Sequence, residues 1–125
     1  PKAVFLLIGV NDIFNLQGGG GITSADYIAN NILKITKKIK AGSPSTRIYV
    51  QTILPATAEI QMNTQLINTM IKRNGEAGIY TTIDLHAAFT NSQGLMRQDL
   101  TTDGLHLNDR GYKVWVDVLD PFVRQ

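Results

Sequence analysis

The chain has 125 residues, of which 43% are hydrophobic and 18% charged, and this composition suits one globular domain with a hydrophobic core. It contains no apolar run of the roughly 18 residues that a membrane-spanning helix needs, and the absence of cysteine excludes disulfides, zinc–thiolate sites and a cysteine nucleophile. The net charge is +2, and we interpret the lysine cluster in residues 34–40 (KITKKIK) as a solvated helix face rather than a nucleic-acid-binding surface.

The chain begins with a strongly apolar segment. Residues 3–8 (AVFLLI) predict a strand buried on both faces, which is typical of the middle of a parallel sheet. A domain seldom begins inside its most buried strand. We therefore expect residues 1–125 to form a single domain that is the C-terminal part of a longer protein and is incomplete at its N-terminus.

A helix and two further strands are predicted next. Ser24 is a suitable N-cap for a helix through about residue 41. The predicted buried stripe of this helix consists of Ile28, Ile32, Ile35 and Ile39. Residues 47–54 and 78–85 are rich enough in β-branched and apolar side chains to predict a second and a third strand.

Two more helices complete the predicted order. One spans residues 61–74, and its inward side chains are Leu66, Ile67, Met70 and Ile71. The last spans residues 110–123, and its buried side chains are Val114, Trp115, Val118 and Phe122. The order β-α-β-α-β-loop-α has connections long enough for helical crossovers, and it predicts an α/β fold with a mostly parallel sheet.

Two groups of polar residues fall at the carboxyl ends of the predicted strands, where parallel α/β sheets bind their ligands. Gly9, Asn11 and Asp12 directly follow the first strand. Asp103 and His106 follow the third strand through a long loop, within the segment TTDGLHLNDRGY. The sequence therefore predicts a functional site at this edge of the sheet.

Asp103 and His106 have the residue types and spacing of an acid–base pair. A carboxylate that accepts a hydrogen bond from one imidazole nitrogen fixes the tautomer, and the other nitrogen can then take a proton from a serine hydroxyl. The alternative is that Asp103 caps a turn and His106 packs against the last helix. Asn11, beside Gly9, either donates a hydrogen bond to an oxyanion or closes an Asx turn at the strand end.

Together these motifs resemble the SGNH hydrolase family, also called GDSL-type esterases or lipases. The third sequence block of that family, Gly-x-Asn-Asp, is similar to Gly9, Asn11 and Asp12. Its fifth block, Asp-x-x-His, is similar to Asp103 and His106. The usual continuation of the fifth block is matched by Leu107, Asn108, Gly111 and Tyr112.

The resemblance implies a three-layer, flavodoxin-like α/β sandwich that hydrolyses esters through a serine acyl-enzyme, without a metal or another cofactor. His106 would be the general base, Asp103 its orienting carboxylate and Asn11 an oxyanion-hole donor. Gly9 would shape the oxyanion loop, and Asp12 would be a structural neighbour without a chemical role. Family substrates include acetylated sugars, small acyl esters and lysophospholipids.

The chain departs from the family at the nucleophile. The Gly-Asp-Ser-x block and the block with a second oxyanion glycine are absent. None of the four serines follows a predicted strand as a nucleophile elbow requires; they are Ser24, Ser43, Ser45 and Ser92. We therefore expect the serine upstream of Pro1, and little turnover from the chain alone.

The same departure leads to an expectation about partners and to an alternative function. Residues 3–8 would have an unpaired edge, so we expect association with the missing N-terminal segment or self-association. We expect no nucleic-acid partner and no membrane span. The alternative function is a non-catalytic binding module that keeps the fold but lacks the chemistry.

Two other features give weaker hypotheses. The glycine run at residues 18–21 lacks the Lys-Ser/Thr of a phosphate loop and is interpreted as a flexible loop at the rim of the sheet. Asp84 and His86 could form a metal site with His106, but the segment DLHAAF is explained more simply by a strand end that turns into a short helix. We expect no bound metal.

Overall fold

The computed structural model describes residues 2–8 and 25–124, which form alternating strands and helices. They are β1 (Ala3–Leu6), α1 (Ala25–Gly42), β2 (Arg47–Gln51), α2 (Gln61–Gly75), β3 (Thr81–Ile83), α3 (Leu85–Phe89) and α4 (Asp109–Val123). The strands form a parallel sheet in the order β1-β2-β3. The predicted α/β class with a parallel sheet is therefore confirmed. In the described ranges, no helix is long and apolar enough to cross a membrane.

Helical layers cover both faces of the sheet, because successive strand side chains point to opposite sides. Ile48 and Val50 of β2 belong to a core cluster shared with α1 and α2. Tyr49, between them, stacks on Phe5 of β1 with ring centroids 4.8 Å apart and meets Phe122 of α4 edge-on at 5.5 Å. A second core cluster lies on the α3 and α4 side; its buried members are Leu85, Phe89, Met96 and Leu100. This arrangement is the predicted three-layer sandwich.

The strands are shorter than the sequence predicted, and β1 is less buried. The predicted strands over residues 3–8, 47–54 and 78–85 correspond to segments of four, five and three residues. All four residues of β1 are half-buried, whereas the prediction was burial on both faces. That prediction is wrong for the described part of the chain, because β1 lies at one end of the sheet and pairs with β2 alone.

Helix positions agree with the predictions within one or two residues, but some inward-facing residues differ. In α1, Thr36 is buried and Ile35 is 39% exposed, because the spacing of four from Ile28 and Ile32 continues to residue 36. The Thr36 hydroxyl donates to the Leu33 carbonyl at 2.8 Å, so its burial leaves no free donor. In α2, Leu66 is 47% exposed.

The predicted buried stripe of α4 is only half-buried. Val114, Trp115, Val118 and Phe122 all keep partial exposure, although three of them pack against the second core cluster. The helix covers the sheet from one side only and has no further described layer outside it. The amphipathic pattern therefore correctly predicted which face of α4 packs against the rest of the chain. The side chains on that face are less buried than the pattern predicted.

Asn68 of α2 supports the turn by which the chain leaves β2. Its amide oxygen accepts from Ile53 N at 2.7 Å, and its amide nitrogen donates to Ile53 O at 2.9 Å. Asn68 is only 6% exposed and Ile53 only 2%, so water cannot readily replace either bond. One side chain thus satisfies both backbone groups of a buried residue.

We expect Asn68→Ala to lower the free energy of unfolding by about 2–3 kcal/mol, because two buried backbone groups lose their partners. Urea unfolding followed by circular dichroism measures the change. Thr69→Ala is the matched control, because Thr69 is exposed and bonds only to Gln65 O of its own helix; it should change stability by less than about 0.5 kcal/mol. Equal losses for the two variants would contradict this role of Asn68.

Candidate active site

The loop of residues 101–108 joins the short 3-10 turn Gln98–Leu100 to α4 and is closed by its own hydrogen bonds. The Thr101 hydroxyl donates to His106 O at 2.5 Å and accepts from Gly104 N at 2.9 Å. An antiparallel bridge pairs Thr101 with Leu107. Gly104 has a φ of +88°, a conformation that glycine adopts without a steric cost. These bonds form a tight turn that holds residues 103 and 106 on the same side.

Asp103 and His106 are in direct hydrogen-bond contact. His106 Nδ1 lies 2.7 Å from Asp103 Oδ2. The other carboxylate oxygen, Oδ1, accepts from Leu105 N at 2.9 Å and from His106 N at 2.7 Å. Asp103 therefore caps the turn and orients the imidazole at once, so the two alternatives for this residue are compatible.

The hydrogen bonds to Asp103 lower the pKa of its carboxyl group well below the ordinary value. The largest contribution is the backbone N–H of His106, followed by the His106 ring and the Leu105 N–H. Since the folded chain favours the ionised carboxyl, its contribution to stability is present above the pKa of an unfolded aspartate, about 3.9. It is lost only as the pH falls from there through the lower pKa of the folded state.

The accepting carboxylate also determines which ring nitrogen of His106 is available. Because an ionised carboxylate can only accept, Nδ1 must carry the proton, and Nε2 keeps its lone pair when the ring is neutral. Across residues 2–8 and 25–124, Nε2 has no hydrogen-bond partner, and the His106 side chain is 74% exposed. The ring is therefore poised to accept a proton from a group that approaches Nε2.

The start of α4 holds the far end of the loop. Asn108 is the N-cap: its side-chain oxygen accepts from Gly111 N at 2.9 Å, and its amide nitrogen donates to Asp99 O at 3.1 Å. Gly111 packs so closely that an added Cβ would lie 2.4 Å from Leu100 O. The residues that continue the Asp-x-x-His motif thus fix where α4 begins relative to His106.

A buried glutamine connects α4 to the carboxyl ends of the strands. Trp115 Nε1 donates to Gln51 Oε1 at 2.7 Å, and Gln51 Nε2 donates to Leu6 O at 3.4 Å. Gln51 is the last residue of β2, and Leu6 is the last of β1. The helical pattern predicts Trp115 only as an apolar residue of the last helix, and no local pattern predicts this bond.

Gly9, Asn11 and Asp12 lie outside the described residues, as do the glycine run 18–21 and Ser24. The oxyanion role of Asn11 and Gly9 therefore stays a prediction. The structure does bring Asp103 and His106 together, as the spacing predicted.

Asp84 and His86 lie in a separate polar cluster. Asp84 caps α3 by accepting from Ala87 N at 3.3 Å, and it also binds the Thr52 hydroxyl at 3.1 Å and Lys72 Nζ at 2.9 Å. Burial opposes ionisation of Asp84, but the bonds from Lys72, Ala87 and Thr52 together lower its pKa. Burial also lowers the pKa of His86. The described residues include no group of three or more His, Asp or Glu side chains that could hold a metal ion.

Comparisons with known proteins agree with this geometry. Residues 1–114 match the model of the GDSL-like Lipase/Acylhydrolase family. The parallel α/β sheet and the hydrogen-bonded Asp103–His106 pair agree with this match, and the chain belongs to the GDSL-like lipase/acylhydrolase family.

Solved structures of this class share the fold at low sequence identity. A GDSL-like lipase from Bacteroides thetaiotaomicron is 20% identical with a TM-score of 0.81, and the match covers 99% of this chain and 62% of that one. A catalytic mutant of an acetylxylan esterase from Geobacillus stearothermophilus is 17% identical with a TM-score of 0.76, over 99% of this chain and 58% of that one. This chain thus spans about three fifths of either structure.

A curated relative is matched over a smaller share of its length. N-acylneuraminate cytidylyltransferase from Escherichia coli O18:K1:H7 (strain RS218 / NMEC) is 26% identical over 118 residues. The match covers 89% of this chain and 26% of that protein. The similarity therefore concerns about a quarter of the cytidylyltransferase.

We expect Asp103→Asn to reverse the tautomer of the neutral His106 ring. The N–H groups of Leu105 and His106 hold an oxygen at the Oδ1 position, so the new amide must turn its NH₂ group toward Nδ1, which then has to be unprotonated. Long-range ¹H–¹⁵N correlation spectra at alkaline pH should show Nδ1–H in the original chain and Nε2–H in the variant. Asp109→Asn, an exposed change in α4, is the control; an unchanged pattern in Asp103→Asn would refute this account.

Proposed function

We propose that the chain supplies the acid–base pair of a serine-dependent ester hydrolase. The observation that carries the proposal is the 2.7 Å contact between His106 Nδ1 and Asp103 Oδ2, with Oδ1 anchored by two backbone N–H groups. Family membership supports ester hydrolysis, and the geometry supports the role of His106 as general base with Asp103 as its orienting carboxylate.

In the proposed reaction, His106 Nε2 takes the proton of a serine hydroxyl while the serine oxygen attacks the ester carbonyl. The imidazolium then gives this proton to the departing alcohol oxygen, and an acyl-enzyme remains. Water attacks the acyl-enzyme with the same proton transfers and releases the acid. Asn11 and the backbone at Gly9 would donate to the oxyanion in both steps, as the sequence motif predicts.

We propose that the serine comes from polypeptide outside these 125 residues. Ser43 and Ser45 lie in the turn that precedes β2, at the opposite end of the strand from the loop that carries His106. Ser92 is in an exposed loop after α3, and no described serine hydroxyl bonds to His106. In this proposal, residues 1–125 form one domain that is the C-terminal part of the hydrolase.

The substrate would be an ester of one of the classes that the family resemblance implies: an acetylated sugar, a small acyl ester or a lysophospholipid. The acetylxylan esterase among the structural neighbours supports the first class. We do not propose cytidylyl transfer, because the match to the cytidylyltransferase covers only 26% of that protein and this chain carries an ester-hydrolase motif in the matched family domain.

The test is hydrolysis of p-nitrophenyl acetate by the full gene product. His106→Ala should lower kcat/KM about 10²–10⁴-fold, because it removes the general base. His86→Ala is the matched control, because His86 is the only other histidine and lies in the separate Asp84 cluster; its rate should stay close to the original. The 125-residue chain alone should show little turnover.

Equal rates for the full product and for His106→Ala would remove His106 as the base. Labelling with an organophosphonate and mapping the adduct by mass spectrometry would locate the nucleophile. An adduct on Ser43, Ser45 or Ser92 would overturn the proposed origin of the serine. No hydrolysis by the full product of any ester class named above would favour the binding module.

We also propose that the isolated chain associates through β1. This strand pairs with β2 on one side, and in the described ranges no strand pairs with its other side. Light scattering coupled to size-exclusion chromatography should give a mass above 13.7 kDa for the isolated chain. A monomer with a cooperative thermal transition would contradict the proposal.

A further inference from the structure

The Thr101 hydroxyl lies at the centre of the loop that carries Asp103 and His106. It donates to His106 O at 2.5 Å, and its oxygen accepts from Gly104 N at 2.9 Å and from Asp103 N at 3.3 Å. A hydroxyl has one proton to donate and two lone pairs that accept, so its whole hydrogen-bonding capacity is used within the loop. This one side chain joins the beginning of the turn to its end.

We propose that Thr101 is a positioning residue for the acid–base pair: its hydroxyl fixes where the His106 ring lies without touching the reacting atoms. The inference rests on the proposed function and adds a residue to it. The Asp-x-x-His motif begins at Asp103, so Thr101 lies outside the motif and no sequence pattern indicated its role.

Thr101 and Asp103 together accept from four successive backbone N–H groups of the turn. The Thr101 oxygen accepts from residues 103 and 104, and Asp103 Oδ1 accepts from residues 105 and 106. In both cases a side-chain oxygen accepts from N–H groups two and three residues later, which is a common way for threonine and aspartate to order a turn. The residue that orients the His106 ring is thus itself held by Thr101.

Both backbone groups of His106 are bonded within the loop. The N–H donates to Asp103 Oδ1 at 2.7 Å, and the carbonyl oxygen accepts from the Thr101 hydroxyl and, at 3.2 Å, from Thr102 N. The His106 side chain is 74% exposed, so core packing contributes little to holding the ring. The position of the ring therefore depends on the backbone from which it projects, and the Thr101 hydroxyl makes one of the three bonds that hold this backbone.

Thr101 also connects the turn to the core of the sandwich. Its backbone is extended, with a φ of −135° and a ψ of 155°, and it pairs with Leu107 in an antiparallel bridge. The preceding residue, Leu100, is 1% exposed and belongs to the second core cluster. Through the Thr101 hydroxyl, His106 is held relative to the sandwich as well as relative to Asp103.

Loss of this hydroxyl should affect the reaction rate more than the stability of the fold. A general base must lie within hydrogen-bond distance of the hydroxyl that it deprotonates, and a displacement of about 1 Å can cost on the order of 10²-fold in rate. None of residues 101–108 is buried, so water can replace a bond that the turn loses. The turn should therefore loosen while the domain stays folded.

The test is Thr101→Val in the full gene product, with p-nitrophenyl acetate as the substrate. Valine has the shape of threonine and favours the extended backbone, so the change removes only the hydroxyl. We expect kcat and kcat/KM to fall together by about tenfold, since His106 acts in both acylation and deacylation. The melting temperature should change little. Thr101→Ser, which keeps the hydroxyl, should restore most of the rate.

Thr102→Val is the matched control, because Thr102 is the exposed neighbour and its hydroxyl bonds to no described residue. It should change neither kcat nor kcat/KM. In a double-mutant cycle, Thr101→Val should have no further effect on the His106→Ala variant, because Thr101 acts through that ring. A loss that persists without His106, an equal loss in Thr102→Val, or a loss that Thr101→Ser does not restore would overturn the proposal.

A spectroscopic measurement separates positioning from turnover. Long-range ¹H–¹⁵N spectra of the full product at alkaline pH should show the Nδ1–H tautomer of His106. In Thr101→Val the two ring ¹⁵N shifts should move toward each other, because a looser contact with Asp103 lets the Nε2–H tautomer become populated; in Thr102→Val they should not move. Unchanged shifts in Thr101→Val would refute the positioning role. Moved shifts in a product that hydrolyses no ester would instead refute the proposed function and support the positioning of the ring.

Discussion

The candidate active site depends on the hydrogen bonds that the Asp103 carboxylate accepts. Two backbone N–H groups hold one of its oxygens, and the His106 ring binds the other. The position of the imidazole is therefore fixed by a turn of a few residues rather than by core packing. This explains how an exposed pair, with His106 at 74% and Asp103 at 51% side-chain exposure, has a defined geometry in the folded chain.

The turn has a fixed position in the fold because both of its ends are attached to the sandwich. Before it, Leu100 is 1% exposed and belongs to the second core cluster. After it, Asn108 caps α4, and Trp115 connects that helix to Gln51 at the end of β2. The Trp115–Gln51 bond joins α4 to β2, whereas the Asp103–His106 contact is made within the turn itself. The fold thus places the pair at the strand ends, and the turn determines its internal geometry.

Features formed by residues close together in the sequence were predicted, and contacts between distant residues were not. Asp103 and His106 lie three residues apart, so spacing and residue type were sufficient. Helix positions follow from local periodicity, although the buried face of α1 includes Thr36, while Ile35 lies at the edge of that face and is 39% exposed. The Trp115–Gln51 bond spans 64 residues, and Ala56 and Thr57 line a cleft together with the loop of residues 101–104 only in the folded chain. No local pattern encodes such contacts.

The exposure of His106 also shows which part of the proposed chemistry the described residues can perform. In water, an Asp–His pair is screened, and a general base gains its full effect where solvent is excluded. The turn already supplies the tautomer and the orientation, which are needed before a serine arrives. In the proposed mechanism, the polypeptide that brings the serine would cover Nε2 and remove the surrounding water. In this proposed division, the described residues hold the proton acceptor in an ordered turn, and the approach of the nucleophile would complete the site.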